Sequence, residues 1–500
     1  MFDALLAGHL DDRRVFLHLR DGTTLSHAEI LAMSGRIANV LAVRGVRPGD
    51  RVAVQVQKSP QALAVYFACL RAGIVFLPLN TAYTPAEVEY FVGDAEVALL
   101  ICDPKSESAL RPVAQARGAG LATLGIDGSG SLMAEAAGQG ADFATVPRGP
   151  DDLAAILYTS GTTGRSKGAM MSHRNLLLNA ETLVQVWRFT ADDVLMHALP
   201  IFHTHGLFVA TNVCLAAGAA MIFLPSFDAE EVMRLLPRAT AMMGVPTFYT
   251  RLLARPELTR EAVAHMRLFI SGSAPLLAET HDEFRARTGK PILERYGMTE
   301  TNMLTSNPYD GDRRAGTVGF PLPGVELRIA DPVTGKELPQ GEVGMIEVRG
   351  PNVFRGYWRM PEKTREEFRP DGFFITGDLG TIDERGYVRI VGRGKDLIIS
   401  GGYNVYPKEV EQAIDDIPEI EESAVIGVPH PDFGEGVVAV AVLRKGAECD
   451  EARVVASLGS KLARFKQPKR VFFVDELPRN TMGKVQKNVL RERYRDCLAG

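Results

Sequence analysis

The sequence predicts an α/β protein. A large N-terminal domain of doubly wound parallel sheets carries a small β-barrel and is followed by a small, mobile α+β domain. Three observations predict it. Unbroken apolar runs alternate with helical segments from about residue 51 to 300; after Gly319 the texture becomes short strands between glycine-rich turns; and a compact mixed segment follows "GRGKD" at 392–396. At 500 residues the chain is also too long for one core. The expected boundaries are 1–393 for the large domain, with βα subdomains to about 318 and the barrel over about 319–393, and 394–500 for the small one.

The elements follow in order. "RVAVQVQ" is a strand before the amphipathic helix "PQALAVYFACLRAG", and "IVFLPLN" a strand before "TPAEVEYFVGD". That second helix opens on Thr84, Pro85 and Glu87, a capping box with proline at the first helical position. "VALLICD", "LAAILYTS", "AAMIFLP" and "RLFISG" are strands apolar on both faces, which indicates parallel sheets covered by helices. Asp228 and Glu231 open another helix. Beyond 396, "PKEVEQAIDD" and "ARVVASLGSKLARF" read as helices, and "ESAVIGV", "VVAVAVL" and "RVFFVD" as strands.

Composition narrows the function classes. A hydrophobic fraction of 46%, a charged fraction of 23% and a net charge of −5 offer no argument for nucleic acid or an anionic membrane as partner. Cys69, Cys102, Cys214, Cys449 and Cys497 are scattered and form no CxxC pair, so neither a disulfide framework nor a zinc site is indicated. "MFDALLAGHLDDRR" lacks a signal-peptide pattern, and no apolar stretch approaches the roughly 18 residues of a membrane span. A cytoplasmic protein is expected.

"YTSGTTGRSKG" at 158–168 gathers glycines, hydroxyls and cations after a strand and ahead of a helix starting near Ser172. Glycines let the backbone approach an anion, and successive N–H groups form a nest for it. The stretch is not a Walker A loop. Counted from Gly161, that pattern wants a glycine at position 166 and a hydroxyl at 168, where Ser166 and Gly168 stand. A mobile polar loop is the plain alternative.

Five further segments accompany it: "SGSAPL" (271–276), "ERYGMTET" (294–301), "TGDLG" (376–380), "GRGKDLIISGGYNVYP" (392–407) and "LPRNTMGKVQK" (477–487). Together, over about residues 20–495, they resemble the adenylate-forming superfamily of acyl-CoA synthetases, luciferases and carrier-protein adenylation domains. The resemblance implies ATP, Mg²⁺ and CoA, and an acyl-adenylate intermediate. Thr159, Ser160, Gly161, Thr162, Thr163, Gly164 and Lys167 would hold the β- and γ-phosphates. Gly272, Ser273 and Ala274 would line the adenine, Tyr296 and Gly297 would lie against it, and Thr299 would bond the α-phosphate. Glu300 would hold magnesium, and Asp378 the ribose hydroxyls with Arg393 nearby. For Asp378 alone, a turn aspartate is the plainer reading. Lys484 matches the mobile adenylation lysine, whose charge stabilises the transition state at phosphorus, whereas Lys487 reads as a surface residue. Lys395 matches the hinge. Ser400, Gly401 and Gly402, with Arg464 and Lys466 of the basic stretch "KLARFKQPKR", are the CoA candidates, a solvated basic face being the alternative. A lysine acyltransferase acting on Lys484 would switch the enzyme off.

The acyl pocket of the superfamily lies near "ALPIFHTHGLF", "GVPTFYTRLL" and the residue before "YGMTE", which here is Arg295. A guanidinium at a pocket edge is costly unless an anion pairs with it, so a second substrate carboxylate is expected. Arg251, Ser271 and His205 are further candidates for that carboxylate, and His205 is also the superfamily's aromatic gate. "LPIFHTHGLF" with "ERYGMTET" resembles the malonyl-CoA synthetases, implying malonate or methylmalonate. The alternatives are that Arg295 merely pairs with Glu294 or a carbonyl, that the substrate is a short-chain or aryl monocarboxylate, or that the chain only binds nucleotide. His203 and His205 are discounted as a metal pair, since i and i+2 diverge on a helix.

Overall fold

The computed structural model describes residues 1–159, 166–400, 403–431, 433–459, 461–462, 464–480 and 483–498, with the side chains of 403 and 404 outside that description. Packing divides the chain into two compact units. One comprises Met1–Glu326 with Arg349–Phe368, the other Leu327–Val348 with Arg369–Gly500.

The first unit is built on two large sheets. The six-stranded sheet runs Gly120–Thr123, Val97–Cys102, Arg51–Gln55, Val75–Pro78, Leu153–Thr159, Lys167–Ser172, parallel except for the last pair. The nine-stranded sheet has a parallel centre, with Leu293–Met298, Leu268–Ser271, Ala241–Gly244, Val194–His197, Ala220–Phe223 and Val15–His18 adjacent in that order. Its antiparallel edges are Asn302–Ser306 with Phe320–Pro321 on one side and Thr24–Ser26 on the other. The apolar runs explain this arrangement. All four residues of Val75–Pro78 are buried, as a strand covered on both faces requires.

Local signals hold where the sequence placed them. Thr84 accepts from the Glu87 N–H, Glu87 reaches back to Thr84, and Pro85 starts the helix. Asp228 accepts from the Glu231 N–H at 2.8 Å. One expectation needs correcting: the helix Pro60–Ala72 is not amphipathic but buried all round from Ala62 to Ala72. It lies between the two sheets. Tyr66 touches Phe76 on one side and Phe208 on the other, and its hydroxyl meets Asn212 at 3.3 Å.

In the second unit the expected β-barrel is corrected to an open sheet. Strands Glu326–Ala330, Gly344–Arg349, Phe374–Ile382 and Val388–Arg393 run in sequence order, and the two edge strands do not pair with each other. Three hairpin-like steps are too few to close a barrel. All but its residues Glu326 and Arg349 belong to the second unit. The α+β segment is as expected in kind. Helix Pro407–Asp415 covers a five-stranded sheet whose longest pairing is the antiparallel one between Ile420–His430 and Gly434–Leu443. The helix read across 452–465 is shorter, ending at Leu458 ahead of Gly459. No helix among the described residues is long and apolar enough to cross a membrane.

Candidate active site

Two side-chain clusters of the first unit gather many of the candidate residues. The first surrounds the phosphate-loop candidate. Strands Leu153–Thr159 and Lys167–Ser172 pair antiparallel, with Thr159 opposite Lys167. The expected helix does start after Ser172, which caps it, but a strand intervenes. Ser160, Gly161, Thr162, Thr163 and Gly164 lie outside the described residues. Lys167 Nζ is 2.8 Å from Glu367 Oε1 and 4.2 Å above the Tyr357 ring. The Tyr357 hydroxyl stands 2.8 Å from Glu367 Oε2 and 3.1 Å from Glu300 Oε1, and Thr159 Oγ1 is 3.5 Å from the same Glu300 oxygen. Burial pushes the Glu367 carboxyl up, but hydrogen bonds from Lys167 and Tyr357 outweigh it and hold the group below the usual range. One phenolic proton faces two carboxylates and can serve only one at a time. Sequence reasoning missed Tyr357 and Glu367. "GYW" and "REEF" carry no spacing signal, and only the fold brings them to Glu300.

Glu300 is buried, and its neighbours Tyr357 and Thr159 are oxygen groups. A carboxylate among hydroxyls suits a hard divalent cation, so the residues fit Mg²⁺.

The second cluster forms around Arg295. "ERYGM" lies within strand Leu293–Met298. Its parallel register sets Ser271 opposite Glu294, which brings Arg295 beside Gly272. A Cβ on Gly272 would stand 2.5 Å from the guanidinium carbon, so glycine is what lets the arginine cross. Arg295 is 2% exposed, and its Nε and Nη2 have no hydrogen-bond partner among the described residues. Ser271 Oγ, His205 Nε2 and Thr204 Oγ1 are buried in the same condition. Burial lowers the guanidinium to about 9, with Tyr249 and Glu294 opposing, so it remains charged at neutral pH. Burial and then Arg295 push His205 well down, making it neutral. Its Nδ1 is 3.2 Å from Ser273 Oγ, and Ser273 holds a left-handed φ of 73°. A non-glycine residue in that region stores strain, which gathers at functional sites. Glu294 accepts from the Leu276 N–H at 3.2 Å, and its charge favours the charged form of Arg295.

Arg251 departs from this group. It is exposed on helix Pro246–Leu253 and does not share the buried setting of Arg295. His203 Nδ1 accepts from the His205 backbone N–H at 3.3 Å. Tyr296 is buried, while Ala274, Gly297 and Thr299 are half-buried. A Cβ on Gly297 would meet Asn302 O at 1.9 Å, so that glycine serves the bulge between the two strands.

The second unit holds the remaining candidates. Asp378 is not a turn residue but lies buried on strand Phe374–Ile382, directly opposite Arg393, whose Nε is 2.9 Å away. Lys395 is exposed, and partial desolvation and the neighbouring Arg393 lower its pKa. Lys484 is half-buried beside Gly483, with its backbone N–H on Asn480 Oδ1 at 3.0 Å. Lys487 is not a solvated surface residue: it pairs with Glu411 at 2.6 Å. Ser400 is buried on strand Ile398–Ser400; Gly401 and Gly402 lie outside the described residues. Arg464 is exposed, and Lys466 grips Glu409 at 2.6 Å.

Comparison with known proteins finds relatives along nearly the whole chain. The family model "AMP-binding enzyme" matches residues 4–358, and "AMP-binding enzyme C-terminal domain" matches 409–484. The solved structure of ATP-bound MatB from Rhodopseudomonas palustris is 63% identical, covers 99% of each chain and superposes with a TM-score of 0.97. A malonate–CoA ligase of Arabidopsis thaliana is 34% identical over 95% of this chain and 82% of its own. A feruloyl-CoA synthase of an Amycolatopsis species is 37% identical over 95% and 94%.

Proposed function

We propose, from the premise that this chain belongs to the AMP-binding enzyme family, that it is an acid–thiol ligase acting on a small dicarboxylate. It joins malonate to CoA at the expense of ATP and accepts methylmalonate as a branched relative. The likeness to MatB and to a malonate–CoA ligase supports this reading. One observation carries it: a buried guanidinium whose Nε and Nη2 are unpartnered among the described residues, close enough to the neutral His205 to depress its pKa. An arginine so placed is costly without an anion, and a carboxylate takes its paired donors in bidentate fashion.

The reaction has two steps. One substrate carboxylate oxygen attacks the α-phosphorus of ATP, the bond to the β-phosphate oxygen breaks, and pyrophosphate leaves. The CoA sulfur then attacks the acyl carbonyl, AMP departs, and the thiol proton is released. Arg295, Ser271 and neutral His205 hold the second carboxylate away from the reaction and so orient the first. The hydroxyl–glycine loop after Thr159, with Lys167, holds the departing pyrophosphate, and Asp378 with Arg393 holds the ribose. Glu300, oriented by Tyr357, is the magnesium carboxylate; bound there, the cation offsets phosphate charge. Lys484 supplies the cation for adenylation alone, and Lys395 is the hinge at the 393/394 boundary that exchanges it for the segment at 400–402 in thioester formation.

The test is pyrophosphate release from ATP and CoA with malonate, methylmalonate, succinate, acetate, butyrate and benzoate. Malonate should give the highest kcat/KM. Preference for a monocarboxylate would replace this reading with the feruloyl-type one, and no AMP from any acid would leave a nucleotide-binding protein.

A further inference from the structure

Outside the two clusters lies a buried cation that the reaction does not use. Lys58 sits in the loop between strand Arg51–Gln55 and helix Pro60–Ala72, and it is 6% exposed. It reaches from the six-stranded sheet to the nine-stranded one. There its Nζ meets His197 Nδ1 at 2.9 Å, His197 O at 2.8 Å and Leu199 O at 2.9 Å. It also stands 4.3 Å over the Phe223 ring. Every hydrogen-bond acceptor around this ammonium is neutral, which is an expensive arrangement unless it fixes something.

What it fixes is the His197 ring. His197 ends strand Val194–His197, is fully buried, and has its Nε2 2.8 Å from Gly206 O. A carbonyl only accepts, so Nε2 must carry a proton. With two carbonyls and Nδ1 sharing Nζ, three further protons are needed around the lysine. The pair therefore carries one positive charge, whether the shared proton rests on Nζ or on Nδ1, and in both forms Nε2 keeps its proton. Without Lys58, neutral imidazole could place its proton on Nδ1 and turn a bare nitrogen toward Gly206 O.

Gly206 O opens the segment that matters for substrate. His205–Thr211 is a π-helix, a rare form found mostly at functional sites. Gly206 O takes two side-chain donors, His197 Nε2 and Thr211 Oγ1, the latter at 3.0 Å. The same residue presses on Pro200, whose carbonyl oxygen a Cβ on Gly206 would approach to 2.0 Å. His205 is the first residue of that helix and borders Arg295.

We infer that Lys58 and His197 are positioning residues: Lys58 sets the proton arrangement of His197, whose Nε2–H anchors the π-helix that holds His205 at the substrate carboxylate. This rests on the reading that Arg295 and His205 receive that carboxylate. The experiment measures KM for malonate and for ATP in Lys58→Met, His197→Gln, His197→Asn and Arg295→Ala, with thermal unfolding of each. Glutamine sets an amide N–H where Nε2 stood and keeps the bond to Gly206 O. Asparagine sets a carbonyl where Nδ1 stood and keeps only the lysine. Lys58→Met and His197→Asn should raise KM for malonate about tenfold or more, with KM for ATP within about threefold, and His197→Gln should stay near the parent. Equal effects of Gln and Asn, or matching changes for both substrates, overturn the inference. If Arg295→Ala leaves KM for malonate unchanged, the pocket reading itself has failed; if it responds and Lys58→Met and His197→Asn do not, only the positioning role has.

Discussion

The Arg295 guanidinium crosses Gly272 so closely that a methyl group there would stand 2.5 Å from its central carbon. The clash would be with the far end of a long side chain, so the guanidinium can move more cheaply than the backbone. Gly272→Ala should therefore raise KM for malonate about tenfold while the unfolding midpoint falls only a few degrees. Steady-state kinetics beside thermal unfolding checks this, and a large loss of stability with unchanged KM would contradict it.

Tyr357 offers one proton to Glu300 and Glu367. Tyr357→Phe removes it and leaves the buried Glu300 carboxylate without that donor. The expected result is an altered Mg²⁺ requirement and about tenfold lower kcat/KM for ATP, of the order that losing a hydrogen bond to a charged group costs. A magnesium titration of pyrophosphate release measures it. KM for malonate should change little.

How much of this was legible beforehand differs by residue. Arg295 was readable as anomalous because the resemblance set it at the edge of the acyl pocket, where a guanidinium needs an anion, and Thr84 or Asp228 because capping is decided within four residues. Tyr357, Glu367 and Lys58 were not readable. Their partners lie 57, 200 and 139 positions away along the chain, and nothing in local period or propensity encodes such pairings. For Asp378 the alternative of a plain turn aspartate gives way, because pairing with the strand that ends at Arg393 makes the residue part of a strand. The barrel failed for a similar reason. Glycine spacing marks turns but not whether the edge strands close.

Lys484→Ala should abolish adenylate formation while leaving thioester formation from supplied malonyl-adenylate largely intact, because the charge is needed only where negative charge builds at phosphorus. Acetylation of Lys484 removes the same charge and should act likewise. Half-reaction assays separate the steps, and equal loss of both would remove Lys484 from its assigned role.

Asp415 provides a stability test away from the site. Burial pushes its carboxyl up to about 7, although the Ser423 hydroxyl donates to it at 2.7 Å. Between about 4 and 7 the folded chain therefore holds a proton that the unfolded chain has lost. This group's contribution to stability is present in full below that window and is lost as pH rises through about 7. Asp415→Asn should raise the unfolding midpoint at pH 8 and change it little at pH 4. The opposite ordering would refute the assignment.

The central claim is that Arg295 selects a dicarboxylate, and the carboxylate panel run on Arg295→Ala tests it most directly. The account predicts that kcat/KM for malonate falls by about a hundredfold or more, while acetate or a short fatty acid is turned over as well as before or better. An Arg295→Ala enzyme that still prefers malonate over acetate by the parent's ratio would contradict it.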